Sequence, residues 1–244
     1  MNFLENLQLT TIEGYLVDTS IGGAMRALIF DLDGTLVDTV YAHILAWQNT
    51  FSEAGISVDA WRIHRKVGMS GDLFTRAVGR DIGREFSTEE SKIFQKRHVD
   101  LYLQILPNPR PLSGAVELLK FLQNTGIKHA IATSGKRKEI QASLEALKVS
   151  DDTVIISGDD VSQAKPEPDL FFEAQKKLDV AATECYVIGD AVWDVLAARR
   201  ARMLSVGFLC GGYGEDELAK AGAFRIYRDA EELLHSLDEL GVLP

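Results

Sequence analysis

Asp31-Leu32-Asp33-Gly34-Thr35 follows the run Arg26-Ala27-Leu28-Ile29-Phe30, and this junction decides the fold. The run is short, apolar and free of Gly and Pro, which reads as a buried strand. Two carboxylates two residues apart at its tip point the same way, because side chains on a strand alternate with period two. Gly34 lets the chain turn sharply after them. Each of two such acids raises the other's pKa unless a cation or a proton sits between them. The junction therefore asks for a cation or a proton between the two acids.

Working outward, residues 39–106 carry a helical pattern, broken at Gly55 and at Gly68-Met69-Ser70-Gly71. Ser87-Thr88-Glu89-Glu90 is a capping box opening a long helix. Pro107-Asn108-Pro109-Arg110-Pro111 ends it stiffly. From there α/β alternation begins, with Ser113 expected to cap a helix reaching Asn124. Strands are expected at 129–132, 153–157, 184–188, 204–208 and 225–227, with helices over 136–147, 168–178 and 190–202 between them. Strands separated by helices of this length predict an α/β, doubly wound, mostly parallel (Rossmann-like) sheet. The expected organisation is a core from 25–39 plus 108–244 and an inserted α-helical cap over 40–107. Residues 1–24 form an N-terminal extension, read as a tail or a short docked helix.

A net charge of −10 over 244 residues argues against a nucleic-acid coat or a binder of anionic membranes. No apolar run reaches the roughly 20 residues of a membrane span. Glu5, Glu13 and Asp18 interrupt the N-terminus, which does not read as a signal peptide, so a cytoplasmic protein is expected. Cys185 and Cys210 make no disulfide framework and are read as buried thiols.

In such a sheet, ligands bind outside the carboxyl ends of the strands. Asp31 and Asp33, Thr133-Ser134-Gly135, Lys165-Pro166, and Gly189-Asp190 with Asp194 all fall at or near those ends. A helix start bearing Ser and Gly is a ready anion site. Lysine adds a compact positive charge, and clustered carboxylate oxygens suit Mg²⁺. Together these fit chemistry on a phosphate ester.

In motif order and over Met25 to Tyr227, the chain resembles the haloacid dehalogenase (HAD) superfamily of phosphohydrolases with a small helical cap. The resemblance rests on Asp31–Thr35, on Thr133, on Lys165 in Lys-Pro-Glu-Pro-Asp, and on Gly189-Asp190-Ala191-Val192-Trp193-Asp194. It implies Asp31 as nucleophile through an aspartyl-phosphate and Asp33 as general acid, then base. It further implies Thr133 and Lys165 as phosphoryl contacts. Mg²⁺ would be held by Asp31, the backbone carbonyl of Asp33, and Asp190. Asp194, one helical turn beyond Asp190, either binds metal or holds Lys165.

Ser134 and Gly135 read as secondary phosphate contacts. Asp38 to His43 with Trp47 resembles the start of a β-phosphoglucomutase-like cap, with His43 orienting Asp33. Gly189 stands where those mutases carry an acidic metal ligand, and Gly-Asp is the form of phosphoglycolate-phosphatase-like members. The expectation is a Mg²⁺-dependent phosphatase of a small phosphorylated metabolite, with Arg65 or Lys66 reaching an anionic part of the substrate. The alternatives are a β-phosphoglucomutase-like phosphoryl transferase and, in a different class, a phospho-acceptor signalling module. Against the last stand the inserted cap and the acidic residues, which lie in the wrong order for a receiver domain.

Overall fold

The structure, a computed structural model, describes residues 9–12, 15–18 and 27–242. Six strands make one parallel sheet: β3 (Ala27–Phe30), β4 (His129–Ala132), β5 (Val154–Ile156), β6 (Cys185–Gly189), β7 (Leu204–Phe208) and β8 (Arg225–Tyr227). Their spatial order is β5-β4-β3-β6-β7-β8. The chain thus leaves β3 toward one edge, returns across it, and continues on the other side. The strand order reverses between β3 and β6, where Phe30 pairs with Ile188, and a crevice opens there beyond the strand ends.

Every residue of β3 is buried, as a strand covered on both faces requires. Leu28 and Phe30 face one apolar layer with Ile131, Ile188 and Phe208. Ala27 and Ile29 face the other with Ala130, Val187, Phe171 and Ala197. Helices α5 (Ala115–Thr125) and α6 (Arg137–Leu147) back the first layer, and α7 (Asp169–Leu178) and α8 (Val192–Arg200) the second.

Between β3 and α5 lie four helices, α1 (Val40–Glu53), α2 (Ala60–His64), α3 (Gly71–Asp81) and α4 (Thr88–Ile105). They enclose an apolar cluster of their own, including Trp47, Phe51, Ile63, Phe74, Val78 and Phe94. Ser87 and Glu90 make the capping box of α4 reciprocally: Glu90 N–H donates to Ser87 Oγ at 3.1 Å and Ser87 N–H to Glu90 Oε2 at 2.9 Å.

Three details depart from the sequence reading. Gly114, in the left-handed region at φ 73°, precedes α5, while Ser113 Oγ donates to Glu231 at 2.6 Å instead of capping it. Cys185 is buried as expected, but Cys210 is only partly so. In the N-terminal extension, Leu9–Ile12 and Tyr15–Asp18, β1 and β2, pair antiparallel, where a tail or short helix was expected. The β-branched and aromatic residues Thr10, Thr11, Ile12, Tyr15 and Val17 favour that pairing. The remainder of residues 1–24, with Met25 and Arg26 at the start of the expected core, lies outside the described residues. Among the described residues no helix is long and apolar enough to cross a membrane.

Candidate active site

The parallel ladder delivers the acids of β3 and β6 side by side. Asp31 N–H donates to Ile188 O at 2.8 Å, extending the β3–β6 register one residue past the strand. Asp190 follows β6 directly, and Asp194 sits in the first turn of α8. Oxygens of Asp31, Asp190 and Asp194 lie within 4.8 Å of one another, and all three residues are buried. Lys165 is 1% exposed, and its Nζ pairs with Asp31 and, at 2.9 Å, with Asp194 Oδ1. Asp194 therefore does hold Lys165, while its other oxygen accepts Ala191 N–H at 3.1 Å. Thr35 Oγ1 donates to Asp190 Oδ1 at 3.0 Å.

Three carboxylates against one ammonium leave the cluster short of positive charge. Burial, and then repulsion from Asp194 and Asp33 opposed by Lys165, pushes Asp31 up to about 7. Burial, Asp194 and Asp31 push Asp190 well above the usual carboxylate range. Burial alone would lower Lys165, but Asp194 and Asp31 outweigh it and raise it. An all-oxygen set lacking positive charge fits a hard divalent cation such as Mg²⁺. Room is kept around it by glycine: a β-carbon at Gly211 would lie 1.7 Å from Asp190 Oδ2, and one at Gly189 2.3 Å from Asp194 Cγ.

The electrostatics yield a prediction with its sign. Asp31 has a folded pKa raised from 3.8, so its contribution to stability is full below that value and is lost as pH rises through about 7. With chelator present, the melting temperature is expected to fall between about pH 5 and about pH 8 from this source, and Mg²⁺ to restore more at the higher pH. A Mg²⁺-induced shift equal at both pH values in thermal denaturation would contradict it.

Asp33 occupies a different environment, two residues on. Its Oδ1 accepts Thr39 Oγ1–H at 2.7 Å and lies 3.3 Å from His43 Nε2, while its Oδ2 is 3.4 Å from Thr133 Oγ1. Burial raises its pKa, but the His43 charge and the hydrogen bonds from His43 and Thr39 more than cancel that and lower it. His43 is correspondingly raised: burial opposes its charge, and Asp33 overcomes the burial. His43 stacks on Tyr102 at 3.9 Å between centroids, and its Nδ1 is 3.1 Å from His98 Nε2. Burial, then His43, drives His98 well below the usual histidine range. Thr133 Oγ1 accepts Gly135 N–H at 3.0 Å.

Above these groups is a cavity of about 360 Å³, lined at its floor by Asp31, Asp33, Thr133 and Lys165, and by Ser134, Gly135 and His43. Asp190 and Asp194 lie behind it, against Lys165 and Asp31. Arg65 and Lys66 are not brought to the cavity. Arg65 pairs with Glu217 at 3.1 Å and lies over the Tyr213 ring, and Lys66 pairs with Asp81. Each finds a nearer carboxylate outside the site, which the sequence alone does not reveal. Thr39, His98 and Glu139 are the site neighbours the sequence reading missed. Thr39, six residues from Asp33, adjoins the quoted motif; the other two carry no local signal.

The helical insertion is seated on the core by hydrogen bonds around this cavity. Ser70 N–H donates to Lys165 O at 2.8 Å and Ser134 Oγ–H to Gly68 O at 3.0 Å. Trp193 Nε1–H and Tyr213 O–H both reach Arg65 O, at 3.1 and 3.0 Å, and His64 Nε2 lies 3.0 Å from Gly211 O.

Comparison with known proteins places the chain in a family. The family described as haloacid dehalogenase-like hydrolase matches residues 28–208. The chain is 34% identical over 219 residues to a phosphoglycolate phosphatase of Colwellia psychrerythraea, covering 87% of this chain and 96% of that one. It is 30% identical over 216 residues to the β-phosphoglucomutase of Bacillus subtilis, covering 86% and 92%. The crystal structure of a hydrolase from Pseudomonas syringae superposes with a TM-score of 0.86 at 44% identity, over 88% of this chain and 99% of that one. The chain belongs to the haloacid dehalogenase-like hydrolases.

Proposed function

We propose that this protein is a Mg²⁺-dependent phosphatase of a small phosphorylated metabolite, of sugar phosphate or phosphoglycolate type, working through an aspartyl-phosphate on Asp31. The observation that carries it is the pairing of Asp31, held by Lys165, with Asp33, held by Thr39, His43 and Thr133, on the floor of one cavity. A carboxylate oxygen of Asp31 attacks phosphorus as the bond to the leaving oxygen breaks, and that oxygen takes its proton from Asp33. Asp33, now ionised, accepts a proton from water as that water attacks phosphorus, releasing inorganic phosphate and restoring Asp31. Lys165 offsets charge on the phosphoryl oxygens and on Asp31, and Thr133 and Gly135 lie where those oxygens bind. Mg²⁺, with Asp31, the Asp33 carbonyl and Asp190 as its residues, supplies Lewis-acid polarisation of the phosphoryl group when bound. On this reading residues 40–107 are a cap that excludes water, and 25–39 with 108–244 are the catalytic core. The reading includes a cytoplasmic location and a small metabolite, neither nucleic acid nor membrane, as partner.

A mutase is the second reading, favoured by the relative named β-phosphoglucomutase. Gly189 speaks against it, because an acidic side chain there would have to displace Asp194. Gly189→Asp is accordingly expected to lose activity by about tenfold or more, through Asp194 and the lysine it holds, and to gain no mutase activity. Incubation with Mg²⁺ and a panel of phosphorylated metabolites tests both readings. Inorganic phosphate released in proportion to substrate consumed supports the phosphatase, whereas isomerised phosphate ester without phosphate release overturns it.

A further inference from the structure

We propose that His98, backed by Glu139, is a positioning residue: its Nε2 accepts the Nδ1–H of His43 and so commits the other ring nitrogen of His43 to Asp33. The consequence for turnover rests on the phosphatase reading; the arrangement of ring protons does not. The four side chains form one line. Asp33 Oδ1 is 3.3 Å from His43 Nε2, His43 Nδ1 is 3.1 Å from His98 Nε2, and His98 Nδ1 is 3.8 Å from Glu139 Oε1. The line starts in the core at Asp33, crosses the helical insertion through α1 and α4, and returns to the core at α6. It is complete only while the insertion is seated.

The direction of each bond follows from the far end. His98 is 5% exposed, and burial, then the charge of His43, keeps it neutral, with one ring proton to place. Glu139 stands at the third position of α6, where its Oε2 accepts Lys136 N–H at 2.8 Å and its Oε1 faces His98 Nδ1. Burial raises the Glu139 carboxyl, while the Lys136 N–H bond and the charge of His43 oppose it. A carboxylate only accepts, so the proton of His98 belongs on Nδ1 and its Nε2 is left as an acceptor. His43 Nδ1 must then carry a hydrogen. Stacking holds both rings in place: Trp47 lies on His98 at 4.2 Å between centroids, and Tyr102 on His43 at 3.9 Å.

With Nδ1–H committed, Nε2 is the nitrogen left for exchange with Asp33. The N–H bond at Nε2 breaks as an O–H bond forms on Asp33, and His43 remains as the neutral Nδ1–H ring. The opposite tautomer would keep a hydrogen on Nε2 of the neutral ring, a donor that holds Asp33 ionised and cannot take its proton back. Fixing a tautomer through the far ring nitrogen is how a partner acts on proton transfer without touching the substrate. His98 works in this way through His43, at one remove from Asp33.

Leucine and glutamine at position 98 separate this role from packing. Glutamine sets an amide oxygen near the place of Nε2 and can accept from His43, whereas leucine fills the space under Trp47 with no acceptor. H98L is expected to lower kcat on ethyl phosphate by about tenfold or more with KM within about twofold, and H98Q to keep kcat within about threefold of wild type. Packing predicts the reverse order, because leucine suits a buried apolar setting better than glutamine. Equal losses in the two variants, or none in H98L, overturn the proposal. Nitrogen NMR of the full chain labelled with ¹⁵N-histidine reads the protons directly, with H98Q assigning the signals. His98 is expected as the neutral Nδ1–H form, and a hydrogen on its Nε2 overturns the proposal whatever the kinetics. Should wild-type enzyme hydrolyse no ester, the phosphatase reading falls separately, and the nitrogen spectra decide the tautomer alone.

Discussion

Asp31→Asn is expected to lower kcat by about four orders of magnitude or more, with the fold intact. The amide fills the same volume but cannot form the acyl phosphate, so no route through a covalent intermediate remains. The same change should stabilise the metal-free protein at neutral pH. Burial and neighbouring acids hold the Asp31 carboxyl up to about 7, so ionising it in the folded state is unfavourable, and asparagine removes that burden. Loss of turnover with a higher melting temperature in chelator is a combination that misfolding does not produce. Full activity in the variant would remove Asp31 from the mechanism altogether.

Asp33→Asn carries the second largest effect, and its size should depend on the leaving group. Expulsion of an alkoxide needs a proton, so alkyl phosphates should lose about two to four orders of magnitude in kcat/KM. p-Nitrophenyl phosphate, whose leaving group departs without protonation, should lose much less in the first step. Its second step still lacks a base, so phosphoenzyme on Asp31 should accumulate as a burst of nitrophenol followed by slow turnover. An equal loss on both classes of ester, without a burst, would assign Asp33 to positioning instead. Thr39 and His43 fix one oxygen of Asp33 and leave the other toward Thr133 and the cavity. The same two contacts keep Asp33 ionised in the empty site, so the acid role requires Asp33 to take up the proton held by His43 before passing it to the leaving oxygen.

Much of the fold was legible because its signals are local. The run Ala27–Phe30 is a strand buried on both faces, and Ser87 with Glu90 is a capping box completed within four residues. The sheet order follows from alternation once strands and helices are placed. Helices α9 (Glu215–Ala221) and α10 (Ala230–Leu234) escaped, being too short to show an apolar period. The acids, Lys165 and Thr133 were legible as chemistry at strand ends, and the structure brings them together. Partners chosen through space were not. His43 meets His98 across 55 positions of sequence, and Arg65 meets Glu217 across 152. A basic loop beside a site can face either way, and Arg65 and Lys66 face away.

The seating of the helical insertion has a consequence for how such an enzyme changes over evolutionary time. From the side of the helical insertion, four of these bonds run through the main chain, two to Arg65 O, one to Gly68 O and one from Ser70 N–H, beside the side chains of His64 on Gly211 O and Arg65 on Glu217. A carbonyl or an amide offers the same partner whatever side chain it carries. Outside Gly68, held at φ 95°, the loop can therefore exchange side chains while these main-chain bonds are kept. Gene duplicates that redecorate Val67 and Met69, which line the cavity, keep the way this stretch is seated. In such a lineage the seating is inherited through the backbone, and the side chains over the cavity are left to drift.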